Sequence, residues 1–175
     1  MGQNNMAFCT PQSMISGWLV TDSDWAECVD DRKSTSVYVF HLGSRVVSWA
    51  SKKQPIVSLA IIEAKYVVAT IAACEAVWMR QMLMDLRCDQ EGVTTIFCDN
   101  TSTISLSNNL VFHKRTNHID VKYHFIRELI NNDRIVLQHY RSQEQFSDIF
   151  VKPLARESFV YLRDSLGIIN GGICD

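Results

Sequence analysis

Three aspartates stand where the chain is expected to change direction. Asp22 closes the apolar, β-rich run Gly17-Trp18-Leu19-Val20-Thr21, Asp99 follows Thr94-Thr95-Ile96-Phe97-Cys98, and Asp148 falls in a late helical stretch. Carboxylates converging from the ends of different elements are the hard oxygen ligands that two divalent cations, roughly 3.5 to 4 Å apart, require for phosphoryl transfer. Read by spacing alone, the same three residues suit N-caps and turns, where Asp is common. The metal reading has a structural condition: the strands ending in Asp22 and Asp99 must be neighbours in one sheet.

Other constellations are weaker. Asp120 and His124 stand one helical turn apart, with His118 beside them, but no third ligand completes a metal site, and a structural network or a substrate-side contact is the favoured reading. The six cysteines (Cys9, Cys28, Cys74, Cys88, Cys98, Cys174) show no CxxC and no paired spacing, so they are expected as apolar fillers in a reducing compartment. No GxGxxG or P-loop is present, which leaves a nucleotide cofactor unsupported.

The net charge of -2 and pI near 6.2 exclude a protein that holds nucleic acid by global charge, so any polyanion site must be local. Short basic pairs occur at Arg32-Lys33, Lys52-Lys53 and Lys114-Arg115; taken singly they suit solvated surface. With 47% hydrophobic and 21% charged residues, 7 Gly and 3 Pro, the composition is that of a globular domain rather than a fibre or a disordered tail. No apolar run approaches the roughly 20 residues of a membrane helix, and the first residues lack a signal-peptide pattern, so an intracellular protein, cytoplasmic or nuclear, is expected.

These residues need elements to position them. Residues 1–14 carry no periodicity and are expected as a poorly ordered leader, followed by one domain over 15–168 and a tail over 169–175. Three strands open the domain: the run ending at Asp22, then Ser36 to Phe40 and Arg45 to Trp49, with His41-Leu42-Gly43-Ser44 suiting a hairpin. Ser58 to Leu86, without Gly or Pro, predicts one long buried helix, with Trp78 in the core. A strand over 94–98, a helix opening at Asp99-Asn100-Thr101-Ser102, a helix from about Asp120 to Asn131 and a strand from Arg134 to Tyr140 follow. Helices over Gln143 to Val151 and Ala155 to Leu166, with Gly167 at the end, close the chain. The order βββαβααβαα predicts an α/β fold with a mixed sheet flanked by helices.

The segments TDSDWAECVDDRKSTS (21–36), VSWASKKQP (47–55), FCDNTSTISLSNN (97–109), FHKRTNHIDVKYHFIRELI (112–130) and FSDIFVKPL (146–154) together resemble the ribonuclease H domain at the C-terminus of copia-type retrotransposon Pol polyproteins. The resemblance runs in order from about Ser16 to Ile168. It implies a ribonuclease H-like fold with a central five-stranded mixed sheet, Mg²⁺ or Mn²⁺, and hydrolysis of the RNA strand of RNA/DNA hybrids made during reverse transcription. Position by position, it places the catalytic, metal-ligating carboxylates on Asp22, Asp99 and Asp148. It also implies a reverse transcriptase domain as a partner outside this chain, and in some ribonucleases H a mobile His assists product release, for which His113 or His118 is the counterpart.

One departure matters. Where the family opens its long helix with Glu-Ala-Glu-Tyr, this chain reads Glu63-Ala64-Lys65-Tyr66. On a helix, Lys65 shares a face with Val68, Ala69, Ala72, Ala73 and Ala76, a stripe of small side chains suited to packing on a sheet. Glu63 lies about 200° around, on the face of Val67, Thr70 and Cys74, so it is a poor substitute ligand. Lys65 is therefore expected to point at the carboxylates, where an ammonium pairs with them and displaces metal. Two readings stay open: a metal-dependent ribonuclease H impaired by Lys65, and an inactive derivative, from a truncated or degenerate copy, that folds and binds nucleic acid or a protein. Hybrid contacts are expected from Ser34, Thr35, Ser48, Lys52, Lys53 and Asn100, hydroxyls, ammonium groups and an amide suited to phosphate and ribose. Trp49 suits either the same surface or the core. The run from Val77 to Leu86 is expected as helix packing; exposed, it would be an interface, for instance with the reverse transcriptase.

Overall fold

The computed structural model describes residues 15–18, 33–42, 45–58, 60–108, 124–140, 148–151 and 154–168. Strands β1 (Ile15–Trp18), β2 (Thr35–Leu42) and β3 (Arg45–Lys53) come first, then helix α1 (Ile61–Asp85), strand β4 (Thr94–Cys98) and helices α2 (Thr101–Asn108) and α3 (Phe125–Asn131). Strand β5 (Ile135–His139), the single turn α4 (Asp148–Val151) and helix α5 (Arg156–Ser165) complete a mixed α/β fold in the expected order. Residues 1–14, 120–123, 143–147 and 169–175, for which a leader, helix starts and a tail are expected, lie outside the described residues. Among the described residues no helix is long and apolar enough to cross a membrane.

The five strands form one sheet in the order β3-β2-β1-β4-β5. β1 to β3 pair antiparallel, whereas β1, β4 and β5 run parallel, with Gly17 opposite Ile96 and Ile96 opposite Leu137. The carboxyl ends of β1, β3, β4 and β5 and the start of β2 therefore share one edge. β2, with neighbours on both sides, is buried without interruption from Ser36 to His41, the pattern of a strand covered on both faces. β3 is longer than its apolar run suggests and carries Lys52 and Lys53, opposite Ser36 and Thr35; a bulge opposite Phe40 and His41 breaks its register.

α1 seats on the sheet through its small residues. Val68, Ala69, Ala72, Ala73 and Ala76 are completely buried and share the core with Tyr38, Phe40, Ile96 and Leu137. The helix starts three residues later than the Gly- and Pro-free run predicts. Ser58 donates its hydroxyl to Gln54 Oε1 at 3.0 Å, while Gln54 Nε2 donates to Ser36 Oγ at 3.1 Å and to the Ala64 carbonyl at 2.9 Å. Ser58 is thus committed to a buried polar knot that ties the incoming chain to β2 and to the first turn of α1. At the other end the helix stops within one residue of expectation, followed by Arg87 in the left-handed region at φ 59°.

Two expectations are corrected. Trp78 is 58% exposed rather than core, because the C-terminal half of α1 keeps an outward side that no described element covers. Of the described cysteines, Cys98 is buried and Cys74 is exposed, both as free thiols, whereas Cys88 is disulfide-bonded. Spacing did not reveal this bond because a disulfide needs proximity in space, which sequence separation does not report.

The buried Gln54 knot generates a stability prediction. Gln54→Ala removes the acceptor of the Ser58 hydroxyl and the donor to Ser36 Oγ and the Ala64 carbonyl, and unfolding in urea should show a loss of about 2 to 3 kcal/mol. A loss within experimental error would mean that α1 is placed by its apolar face alone.

Candidate functional site

The sheet topology supplies the condition the aspartates require. β1 and β4 are parallel neighbours, so the chain leaves Trp18 and Cys98 at the same edge. Asp99 is the first residue beyond β4 and is fixed from both sides. Behind it, the Tyr140 N–H donates to the Cys98 carbonyl at 3.0 Å. Ahead of it, Asn100 caps α2, its Oδ1 accepting from the Thr103 N–H at 2.9 Å, as Asn does where a helix has orphan donors. The side-chain oxygen of Asn100 is thereby used for capping.

Opposite Asp99 stands Lys65. Its ammonium donates to Asp99 Oδ2 at 2.5 Å, and the two side chains are only 11% and 12% exposed. A charge-assisted bond this well enclosed is stronger than an exposed surface pair and holds both groups in one geometry. The reach is possible because α1 lies close to the sheet on its alanines, which lets the start of the helix stand over the end of β4. Thr103 tightens the same junction by donating its hydroxyl to the Ile62 carbonyl at 3.5 Å. Glu63, expected on a separate helix face, is also buried, at 5% exposure, and engaged. Every residue from Glu63 to Thr70 is buried, so around this stretch of α1 the helix face does not separate enclosed from open positions.

The other two carboxylates are less completely placed. Asp22, His113 and His118 lie outside the described residues. Asp148 opens α4, its side chain outside the description, and α4 packs beside β2. Of the expected nucleic-acid contacts, Lys52 and Lys53 are exposed on β3 at the edge where Asp99 lies, and Thr35 pairs with Lys53 there. Ser34 is not available for such a contact, because it is completely buried. Ser48 faces α1 instead, donating to Glu75 Oε1 at 3.4 Å; Glu75 is ten residues, about 15 Å, along the helix from Lys65. Trp49 is 60% exposed and stacks on Phe150 of α4, with ring centroids 6.4 Å apart.

Next to Lys65, His124 has two neighbours that the sequence pattern did not connect with it, Tyr66 and Arg127. The Tyr66 hydroxyl and His124 Nδ1 share a 3.1 Å hydrogen bond, and the Arg127 guanidinium lies over the Tyr66 ring, 5.8 Å from its centroid. Arg127 is 4% exposed and none of its nitrogens has a hydrogen-bond partner among the described residues, so the ring face is the compensation visible for its charge. The available signal was the i, i+3 spacing of His124 and Arg127, which puts both on one side of α3. Burial pushes the Tyr66 phenol up to about 12, with Arg127 opposing part of that rise.

Fold and geometry define a mixed α/β protein with a lysine-carboxylate pair at the carboxyl edge of its sheet. Its homologues are retrovirus-related Pol polyproteins of copia-type transposons. The Pol polyprotein from transposon TNT 1-94 of Nicotiana tabacum is 35% identical over 148 residues, covering 85% of this chain and 11% of that protein. Those from transposons RE2 and RE1 of Arabidopsis thaliana are 35% and 33% identical, covering 85% and 94% of this chain and 10% and 11% of their own lengths. The chain thus spans about a tenth of the length of these relatives. No protein-family model matches it.

Tyr66 yields a pH prediction. Its folded pKa of about 12 exceeds the ordinary 10.0, so the folded state retains the proton longer and folding stability falls as pH rises from 10 to about 12. Below pH 10 the group adds no pH dependence. Urea unfolding across pH 9 to 12 should show a shallower alkaline decline in Tyr66→Phe than in the wild type. Parallel declines would show that the phenol is not desolvated by its surroundings.

Proposed function

We propose that this chain is a ribonuclease H-like unit derived from a copia-type retrotransposon Pol polyprotein, directed at RNA/DNA hybrids, in which Lys65 impairs metal-dependent hydrolysis of the RNA strand. The single observation that carries this reading is the bond from Lys65 to Asp99. The element order, the five-stranded mixed sheet and the transposon homologues support the family half of it. Within this reading the polymerase that makes the hybrid is a partner supplied by other parts of a Pol polyprotein.

The residues at this edge do not fit Mg²⁺ or Mn²⁺ as they stand. A divalent ion needs unprotonated hard oxygens, and Asp99 Oδ2 is already taken by an ammonium whose charge would repel it. What the chain's own residues can do here is bind. Lys52 and Lys53 are exposed residues at the sheet edge, which suits contact with a phosphate backbone without reading its sequence. A working enzyme that uses Glu63 in place of the missing carboxylate is the second reading, favoured by the burial of Glu63 two residues before Lys65.

Cleavage of a labelled RNA/DNA hybrid in Mg²⁺ and in Mn²⁺, with calorimetric titration of each ion, separates the readings. Wild type should bind Mg²⁺ poorly and cut weakly. Lys65→Glu removes the competing cation and adds an oxygen ligand, so metal affinity and cleavage should both rise, and Glu63→Gln in that background should matter little. Robust Mg²⁺-dependent cleavage by the wild type that is lost in Glu63→Gln alone would replace the proposal with the second reading.

Hybrid affinity should be weak and should fall steeply with salt. Replacing Lys52 and Lys53 by Ala should weaken binding to hybrids of any sequence and reduce the slope of log affinity against log salt by roughly one to two. Unchanged affinity at low salt would take β3 out of the nucleic-acid surface.

A further inference from the structure

Helix α3 buries a charge that it does not pair. Ile126 and Leu129 are core residues of this helix, which packs on α1 and β5, and Arg127 between them is 4% exposed. None of the Arg127 side-chain nitrogens has a hydrogen-bond partner among the described residues. Every N–H of a guanidinium is a donor and the group does not give up its proton, so burial leaves it no way to shed its charge. Charges in the neighbouring stretches do not balance it: Lys65 and Asp99 neutralise one another, and Glu128, the next residue, is exposed. The Tyr66 ring, 5.8 Å from the guanidinium carbon, compensates only in part, because a ring face attracts a cation less strongly than lost hydration and unmade hydrogen bonds cost it.

We infer that Arg127, with Tyr66 and His124 beside it, is the binding site of a small monovalent anion, chloride. The class of ligand follows from charge and room. Water would satisfy the donors but not the charge, whereas an anion does both. A guanidinium carries a single positive charge, and Tyr66 adds no charge to be matched, since its phenol keeps its proton up to about 12. A divalent oxyanion would bring a negative charge in excess, the same uncompensated burial with the sign reversed. Enclosure of all the guanidinium nitrogens favours a monatomic ion over a polyatomic one.

The surrounding groups give the site its shape. The 3.1 Å hydrogen bond between the Tyr66 hydroxyl and His124 Nδ1 holds the phenol ring across the guanidinium, so one side of Arg127 is a fixed aromatic wall. His124, half-buried at the start of α3, is the least enclosed of the three and marks the way in. A bound anion converts the lone buried charge into an ion pair and lets α3 seat on α1 next to Lys65. Nucleic acid, divalent metal and hydrolysis play no part in this, so the inference stands or falls apart from the proposed function.

Thermal unfolding of the full chain in sodium chloride and in sodium gluconate at equal ionic strength tests this, because gluconate is too large for the site. The wild-type Tm should rise with chloride and level off, by about 5 to 10 °C once chloride stands about a hundred-fold above its Kd, and should not respond to gluconate. Chloride NMR should show line broadening by the wild type that bromide relieves by competition. Arg127→Met removes the charge and keeps an apolar side chain in its place, so the Tm response and the broadening should both vanish, and its Tm in gluconate should equal or exceed that of the wild type. Arg127→Lys keeps the charge and should still respond, at several-fold higher chloride, which preserves the test if the methionine variant does not fold. Equal wild-type Tm in chloride and gluconate, a chloride response that survives in Arg127→Met, or a rise with phosphate and none with chloride would overturn the proposal. So would an Arg127→Met Tm in gluconate far below that of the wild type, the mark of a guanidinium already paired with a carboxylate of the chain.

Discussion

The close seating of α1 on the sheet is the constraint on which the candidate site depends. Four alanines and a valine, all completely enclosed, let the helix approach the strands more nearly than larger side chains would. That approach puts the start of α1 over the end of β4 and within reach of Asp99. The Gln54 knot sets the same turn from the other side by holding the Ala64 carbonyl. Lys65 and Asp99 then meet as a consequence of packing, and the bond they form compensates the cost of enclosing a charge on each.

An ammonium at this point changes what the sheet edge can do. Carboxylates gathered at the ends of parallel strands repel one another, and some cation must balance them. A divalent ion is a diffusible cation that leaves coordination positions for a substrate phosphate, whereas a lysine amine is tethered, singly charged and offers only donors. Tyr66 and His124 extend this enclosed region, with Arg127 over the ring as a further buried positive charge.

The two halves of α1 face different circumstances. The first is enclosed on every side from Glu63 to Thr70, while the second leaves Trp78, Met82, Met84 and Leu86 open. Uncovered large apolar side chains occur at both ends of the helix, Ile61 and Ile62 at its start and Met82 and Met84 near its end. The region matched is about a tenth of the length of the transposon relatives.

Local pattern in the sequence determined most of the elements. The apolar runs of β2, β4 and β5, the Gly- and Pro-free stretch of α1, the Asn100 cap and Gly167 after α5 all act within a few residues of themselves, and apart from the start of α1 they lie within a residue or two of where the pattern put them. Helical phase also placed Lys65 on the alanine face, because periodicity is a property of the chain alone. Tertiary structure decided what depends on neighbours distant in sequence. Gln54 and Ser58 moved the start of α1, the antiparallel partner β2 drew β3 out through Lys53, and Ser34 was enclosed although its type suits a surface contact. Trp78 went outward and Glu63 inward for the same reason: apolar or charged character says what a side chain would favour, whereas burial depends on whether another element arrives to cover it.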